Sequence, residues 1–232
     1  MKKARLSILI PAIVFVATEL VLYALFLAED FGGVYVGENV WIKYATVCLA
    51  FGCAAYFFFV SLFQKTDWID ALLLMAGLAF TLVSDMFLLV RGEHFEAGVA
   101  TFICAQLCYF LRIGRTKLWW GASIGLRIVL PAIVIIVLAS VKMLDALYIL
   151  VAIYFVQLVM NCLENVVFAI LVKDKRQRAQ ATLLAVGFLL FIGCDICVGL
   201  TNLYGEATEL IWLFYTPSQV LIALSARRIY EE

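Results

Sequence analysis

The chain has little charge, little proline and almost no histidine. Asp, Glu, Lys and Arg make up 15% of its 232 residues, against about 25% in ordinary soluble domains. With 17 basic and 17 acidic residues the formal net charge is zero, which excludes the basic surface that a nucleic-acid partner requires. The one histidine, His94, falls in an expected loop. A His-rich zinc site, including a three-histidine membrane site, is therefore excluded. Nor is there a histidine inside an apolar run to act as base for a nucleophilic serine. No metal and no cofactor is expected. The three prolines, Pro11, Pro131 and Pro217, lie within apolar runs, where they kink a helix and can open a cavity beside it. Cys48, Cys53, Cys104, Cys108, Cys162, Cys194 and Cys197 also lie in such runs. Cys194-x-x-Cys197 has the spacing of a redox or zinc pair, but without a second pair or a histidine the seven read as small packing residues.

What the chain does have is apolar side chains, at 66% of the sequence, with a mean hydropathy of +1.07. A soluble globule of this size cannot hide that much apolar surface, and intrinsic disorder is excluded by the same composition. The expected fold class is all-α integral membrane, a single domain over 1–232 with eight transmembrane helices. They are expected at about 6–28, 40–63, 70–90, 97–113, 122–140, 146–172, 179–201 and 208–226. Eight spans leave no room for a soluble domain. The opening Met-Lys-Lys-Ala-Arg resembles a signal peptide, but the apolar run after it is long and no small-residue cleavage site follows, so it reads as a retained first helix. Trp41, Trp68, Trp119, Trp120 and Trp212 lie near expected span ends, as an interfacial aromatic belt requires.

Basic residues in short loops set the orientation. With the N-terminus inside, the inner segments hold Lys2, Lys3, Arg5, Lys65, Arg112, Arg115, Lys117, Lys173, Lys175, Arg176, Arg178, Arg227 and Arg228, and the outer loops only Arg91 and Lys142. Both termini are then cytoplasmic. The outer loops are acidic, with Glu29, Asp30, Glu38, Glu93, Glu96, Asp145, Glu206 and Glu209. A bacterial inner membrane is the first expectation and a eukaryotic internal membrane the second.

The sequence also looks duplicated. Leu9-Ile-Pro-Ala-Ile-Val14 in the first helix matches Val129-Leu-Pro-Ala-Ile-Val134 in the fifth. Gly77 stands eight residues before Asp85 in the third, as Gly187 does before Asp195 in the seventh, and Gln106 in the fourth has Gln219 as its counterpart in the eighth. Four helices per half is an even number, so the halves, about 1–115 and 116–232, are expected to be parallel repeats.

Charges inside a bilayer are costly and are therefore candidates for function or for pairing. Here they are Glu19, Lys43, Asp85, Arg127, Glu164 and Asp195. Asp85 and Asp195 sit at matching depths in repeat-related helices. Facing each other, two carboxyls cannot both ionise easily, so one keeps a proton and the pair holds an acid and a base. Tyr154, Gln157, Asn161 and Glu164 are spaced to share one face of the sixth helix, which lines a cavity or joins helices. Arg127 and Glu164 are expected to form an ion pair. Gln106 with Tyr109, and Tyr215 with Gln219, aim inward from the fourth and eighth helices. Lys43 either holds a phosphate or snorkels to the interface. Gly121-x-x-x-Gly125 reads as close helix packing.

Several segments together resemble the YhhN-like lysoplasmalogenase family: Gly77-Leu-Ala-Phe-Thr-Leu-Val-Ser-Asp85, Phe102-Ile-Cys-Ala-Gln-Leu-Cys-Tyr109, Tyr154 with Met160, Gly187-Phe-Leu-Leu-Phe-Ile-Gly-Cys-Asp195 and Tyr215-Thr-Pro-Ser-Gln219. The likeness runs from Lys43 to Ala223 and rests on order and spacing. It departs from the family at Tyr44, where proline often follows the lysine, and at Gln106, where histidine often stands. The resemblance implies a membrane hydrolase that cleaves the vinyl ether bond of lysoplasmalogens to a fatty aldehyde and glycerophosphoethanolamine or glycerophosphocholine. It implies Asp85 and Asp195 as catalytic residues. Lys43, Gln106, Tyr109, Tyr154, Gln157, Asn161, Tyr215 and Gln219 are then expected around the substrate, a lysophospholipid drawn from the surrounding membrane lipids. Kinked helices, intramembrane acids and repeated halves also fit a proton-coupled transporter, and a scaffold with the aspartates as interhelical glue is a third reading. The G-x-G-D sequence of intramembrane aspartyl proteases is absent.

Overall fold

The computed structural model describes residues 2–33, 39–114, 120–204 and 208–226. They form eight α-helices: α1 (Lys2–Gly32), α2 (Asn39–Phe63), α3 (Trp68–Asp85), α4 (Phe95–Gly114), α5 (Trp120–Ser140), α6 (Ala146–Leu171), α7 (Lys175–Tyr204) and α8 (Thr208–Leu224). No strand occurs among the described residues. Each helix coincides with an expected span, and the observed ends extend mostly outward by a few residues. Glu38, Arg115, Lys117, Trp119, Glu206, Arg227 and Arg228 lie outside the described residues, as do the side chains of Lys2, Lys3, Arg5 and Trp120.

The protein is an all-α, multi-pass membrane protein. Among the described residues, six helices are long and apolar enough to cross a bilayer: α1, α2, α3 with its extension to Arg91, α5, α6 and α7. The outside is apolar as well as the core. Leu20, Ile128, Ile136, Leu189 and Ile170 are each at least 60% exposed, which water would not tolerate over so wide an area but lipid does. The helix α8 is shorter, and α4 carries Glu96, Thr101, Gln106 and Arg112. Gln106 and Arg112 of α4 and Thr216, Ser218 and Gln219 of α8 are buried.

One element departs from the sequence reading. After Asp85 the third helix does not continue as α but widens into a π-helical segment, Met86–Arg91, closed by Gly92 at φ +62°. Beside it, Gly98 of α4 lets the Leu88 side chain approach so closely that a Cβ there would lie 2.6 Å from Leu88 Cγ. Ser84 Oγ donates to the Gly98 carbonyl at 2.6 Å. Widened turns of this kind recur at functional positions.

The packing recurs between the halves. In each, the first helix packs on the second, the second on the third and the third on the fourth, and across the halves α4 packs on α6 as α2 packs on α8. The paired glycines lie at corresponding crossings. A Cβ on Gly77 would meet Tyr109 of α4 at 2.4 Å, and one on Gly187 would meet Ile222 of α8 at 3.0 Å. Tyr109 and Ile222 are separated by the same number of residues as Gln106 and Gln219. Both glycines thus let the fourth helix of each half close onto the third, two turns before an aspartate.

A buried tie closes the far end of the bundle. Arg112 donates to both Asp70 carboxylate oxygens, at 3.1 and 2.8 Å, and to Ser225 Oγ at 3.0 Å and the Ser225 carbonyl at 3.2 Å. Gln180 Nε2 donates to Asp70 at 3.4 Å. Asp70 and Gln180 are separated like the two aspartates, and Arg112 and Ser225 like the two glutamines. Two corresponding pairs therefore meet at one point. The sequence reading placed Arg112 among the inner loop cations, whereas it is 4% exposed.

Pro217 leaves a mark on α8. Proline has no N–H to give the carbonyl four residues back, here Leu213. Tyr23 of α1 donates its hydroxyl to that carbonyl at 2.9 Å, so the bond removed by the kink is restored from a neighbouring helix.

Candidate functional site

Asp85 ends α3 and is 5% exposed; Asp195 lies in α7 and is partly buried. Each accepts a hydrogen bond from a tyrosine. Tyr215 of α8 donates to Asp85 Oδ2 at 2.5 Å, and Tyr154 of α6 donates to Asp195 Oδ2 at 2.7 Å. The two tyrosines meet the same ring. Phe191, one turn before Asp195, lies 5.3 Å from Tyr215 and 6.5 Å from Tyr154 between centroids. Tyr154 and Cys194 each lie within electrostatic range of both carboxyls. The acids of the two halves thus share one aromatic-walled region of the bundle.

The frame around them is also aromatic. Phe102 packs on Tyr154 at 5.4 Å and on Phe191 at 5.6 Å, and Trp212 meets Tyr215 edge-on at 5.2 Å. Phe102 corresponds to Tyr215 by the spacing that relates the two glutamines. One aspartate therefore has a tyrosine where the other has a phenylalanine. Tyr44 of α2 donates to the Leu82 carbonyl at 3.4 Å and lies within electrostatic range of Asp85. It corresponds to Tyr154 by the separation of the two aspartates, a signal in the sequence that the choice of site residues missed.

Lys43 is mostly buried and does not stand free. Its Nζ lies 2.9 Å from both Asp30 oxygens and over the rings of Trp212 (5.5 Å) and Phe26 (5.6 Å). Asn39 Nδ2 donates to Asp30 at 2.7 Å. Trp212, expected in an interfacial belt, is 9% exposed, because it packs under this cation and against Tyr215. Arg91 is exposed.

The polar stripe of α6 divides between two partners. Tyr154 reaches Asp195, but Gln157, Asn161 and Glu164 gather round Arg127 of α5. Arg127 donates to Gln157 Oε1 at 2.6 Å, Asn161 Oδ1 at 2.8 Å and Glu164 Oε2 at 2.8 Å, and stacks on Phe110 at 4.2 Å. Ser123 Oγ donates to Glu164 Oε1. The expected Arg127–Glu164 ion pair is present. Asn161 Nδ2 also donates to Gln106 Oε1 at 2.8 Å. Gln106, Gln157 and Asn161 are therefore joined in a network that fixes α4, α5 and α6. Tyr109 is held against Gly77 and, at 5.4 Å, against Phe188. Gln219 Nε2 donates to Ser218 Oγ at 3.2 Å. Gly121 and Gly125 face open space in the described structure rather than a packed helix. All seven cysteines are free, and no three Cys, His, Asp or Glu side chains cluster as metal ligands among the described residues.

This arrangement can hold a proton on one carboxyl while the other remains a base, with each oriented by a phenol and bounded by rings able to stabilise a developing cation. The protein-family model described as the YhhN family matches residues 39–226. No curated protein and no solved structure matches the chain.

Proposed function

The chain belongs to the YhhN family, and from that premise we propose that it hydrolyses the vinyl ether bond of 1-alkenyl lysophospholipids. The products are a fatty aldehyde and the glycerophospho-alcohol. The observation that carries this reading is the pair of intramembrane aspartates, each bonded to a tyrosine whose ring meets Phe191. One protonated aspartate gives its proton to the β-carbon of the vinyl ether, and the C=C electron pair takes that proton, leaving an oxocarbenium ion. The ionised partner stabilises the cation and removes a proton from the water that adds to the α-carbon. The hemiacetal then breaks its bond to the glycerol oxygen: the second aspartate, protonated in the water step, gives its proton to that oxygen while the first, now ionised, takes the hemiacetal hydroxyl proton, which restores the pair. Paired carboxylates serve a related cation in glycoside hydrolysis.

The tyrosines orient the carboxyls, and Tyr44, Phe102 and Trp212 complete the wall. Lys43, held over the Trp212 ring that packs on Tyr215, is the cation assigned to a phosphate headgroup in this proposal. The network around Arg127 gives Gln106, Gln157 and Asn161 a supporting role behind the site. All eight helices crossing the bilayer, with parallel halves and both ends cytoplasmic, is part of the same proposal. It is supported by the basic residues of the loops and by the recurring helix pairings.

The test is aldehyde release by purified protein in detergent from a 1-alkenyl lysophospholipid, with Asp85→Asn and Asp195→Asn beside wild type. Release by wild type and loss in both variants, all three remaining folded, is expected. Activity undiminished in either variant would refute the assignment. A proton-coupled transporter would release no aldehyde and would act only across sealed vesicles.

A further inference from the structure

Glu19 lies midway along α1 and is 2% exposed, yet neither of its carboxylate oxygens has a hydrogen-bond partner among the described residues. It shares the buried face of α1 with Ala12, Phe15 and Phe26, and this helix packs on α2 and α8. Two contacts fix the register. Tyr23 bonds the Leu213 carbonyl and Phe26 meets Trp212 at 6.1 Å, so α1 and α8 run antiparallel. One turn from Tyr23 along α1 is Glu19; the corresponding stretch of α8 carries Thr216 and Gln219. On the α2 side, Cys53 lies within electrostatic range of Glu19.

At this depth α8 also has unpartnered oxygens. Among the described residues Thr216, 2% exposed, has no partner for its hydroxyl, and Gln219, 3% exposed, none for Oε1. Thr18, Thr81, Thr101 and Thr182 each donate to the carbonyl four residues back; Thr216 does not. The Gln219 amide nitrogen is committed to Ser218, which leaves its oxygen as the free end. The junction therefore offers one acid and two neutral oxygens that have no partner among the described residues. Hard oxygen donors with a single negative charge suit a monovalent metal cation. The corresponding junction of the other half, α5 with α6 and α4, has a cation of its own, the Arg127 guanidinium, with Glu164, Gln157 and Asn161 around it.

We propose that the junction of α1, α2 and α8 binds a sodium ion through Glu19, Thr216 and Gln219. The ion does in this half what the arginine does in the other: it neutralises a buried carboxylate and joins neighbouring helices, here α1 and α8. Thr216 and Gln219 follow Tyr215 in α8, so the site adjoins one tyrosine–aspartate pair, but it does not depend on the reaction proposed for them.

The experiment is thermal unfolding of the full chain in detergent at constant ionic strength, with sodium exchanged against N-methylglucamine. Parallel measurements cover potassium and radioactive sodium binding. Sodium should raise the melting temperature of wild type by about 5 °C at saturation and bind at one ion per chain. Glu19→Gln should fold, melt independently of sodium and bind none. Gln219→Leu, which keeps the acid, should weaken sodium binding at least about tenfold. A wild-type melt indifferent to sodium would overturn the proposal and leave Glu19 as a protonated acid. A sodium shift retained in Glu19→Gln would overturn it equally, and a potassium effect as large as sodium's would overturn the choice of ion.

Discussion

Replacing Tyr215 by phenylalanine is the sharpest single change that the site allows. The ring contacts with Phe191 and Trp212 do not involve the hydroxyl, so the aromatic frame should persist. What disappears is one O–H donor 2.5 Å from a carboxyl that is 5% exposed. A hydrogen bond to a charged group contributes about 1.5–3 kcal/mol. If Asp85 is charged in the transition state, that loss corresponds to a fall in kcat/KM of about 10- to 150-fold. The assay is initial-rate aldehyde release in detergent, with KM and kcat separated and the melting temperature recorded on the same preparations. Phe102→Tyr, at the corresponding place in the other half, adds a hydroxyl and should not reproduce the loss. A Tyr215→Phe protein that melts like wild type and turns over within twofold of it would refute the reasoning, because the bond would then be incidental to Asp85's role.

Three further outcomes follow from the packing. Gly77→Ala puts a Cβ 2.4 Å from the Tyr109 ring and should cost about 1–3 kcal/mol, read as a lowered melting temperature. Gly187→Ala, which meets the Ile222 side chain at 3.0 Å, should cost less, and equal losses would contradict the crossings described. Arg127→Met leaves Glu164 buried without its cation and should cost about 3–5 kcal/mol; Arg127→Met with Glu164→Leu should recover much of that loss in a double-mutant cycle. Tyr23→Phe orphans the Leu213 carbonyl, and Pro217→Ala, by restoring an N–H to α8, should rescue it. A thermal-melt cycle that shows simple additivity would dismiss the link between the two.

Helix number and approximate limits were legible because long apolar runs are broken by short polar segments, and eight-residue Gly–Asp spacings marked α3 and α7. The aspartates stood out because a carboxyl in an apolar run has few structural uses. The Arg127–Glu164 pair was legible for the same reason. Side-chain destinations were not. Tyr154, Gln157 and Asn161 share one face of α6, but a wide helical face can touch several neighbours, and here it touches α7, α5 and α4. The π-helical turn after Asp85 has no signature in Met86–Arg91 beyond the glycine that follows it. Arg112 and Asp70 escaped because each stands near a helix end, where a charge ordinarily reads as solvated. Their signal was positional: they correspond to Ser225 and Gln180, a comparison that needs the whole repeat and not the local sequence. Tyr44 was open to the same comparison.

Both phenol donors, on α6 and α8, come from the carboxy-terminal half of the chain, although one of the acids they serve belongs to the amino-terminal half. Ancestral single-unit proteins, if they paired as identical twins, would have offered each acid the same donors. This chain does not, since Tyr215 stands opposite Phe102. With both acids in one polypeptide they need not be equivalent, and a lone half would carry at best an acid without its phenol or phenols without the second acid.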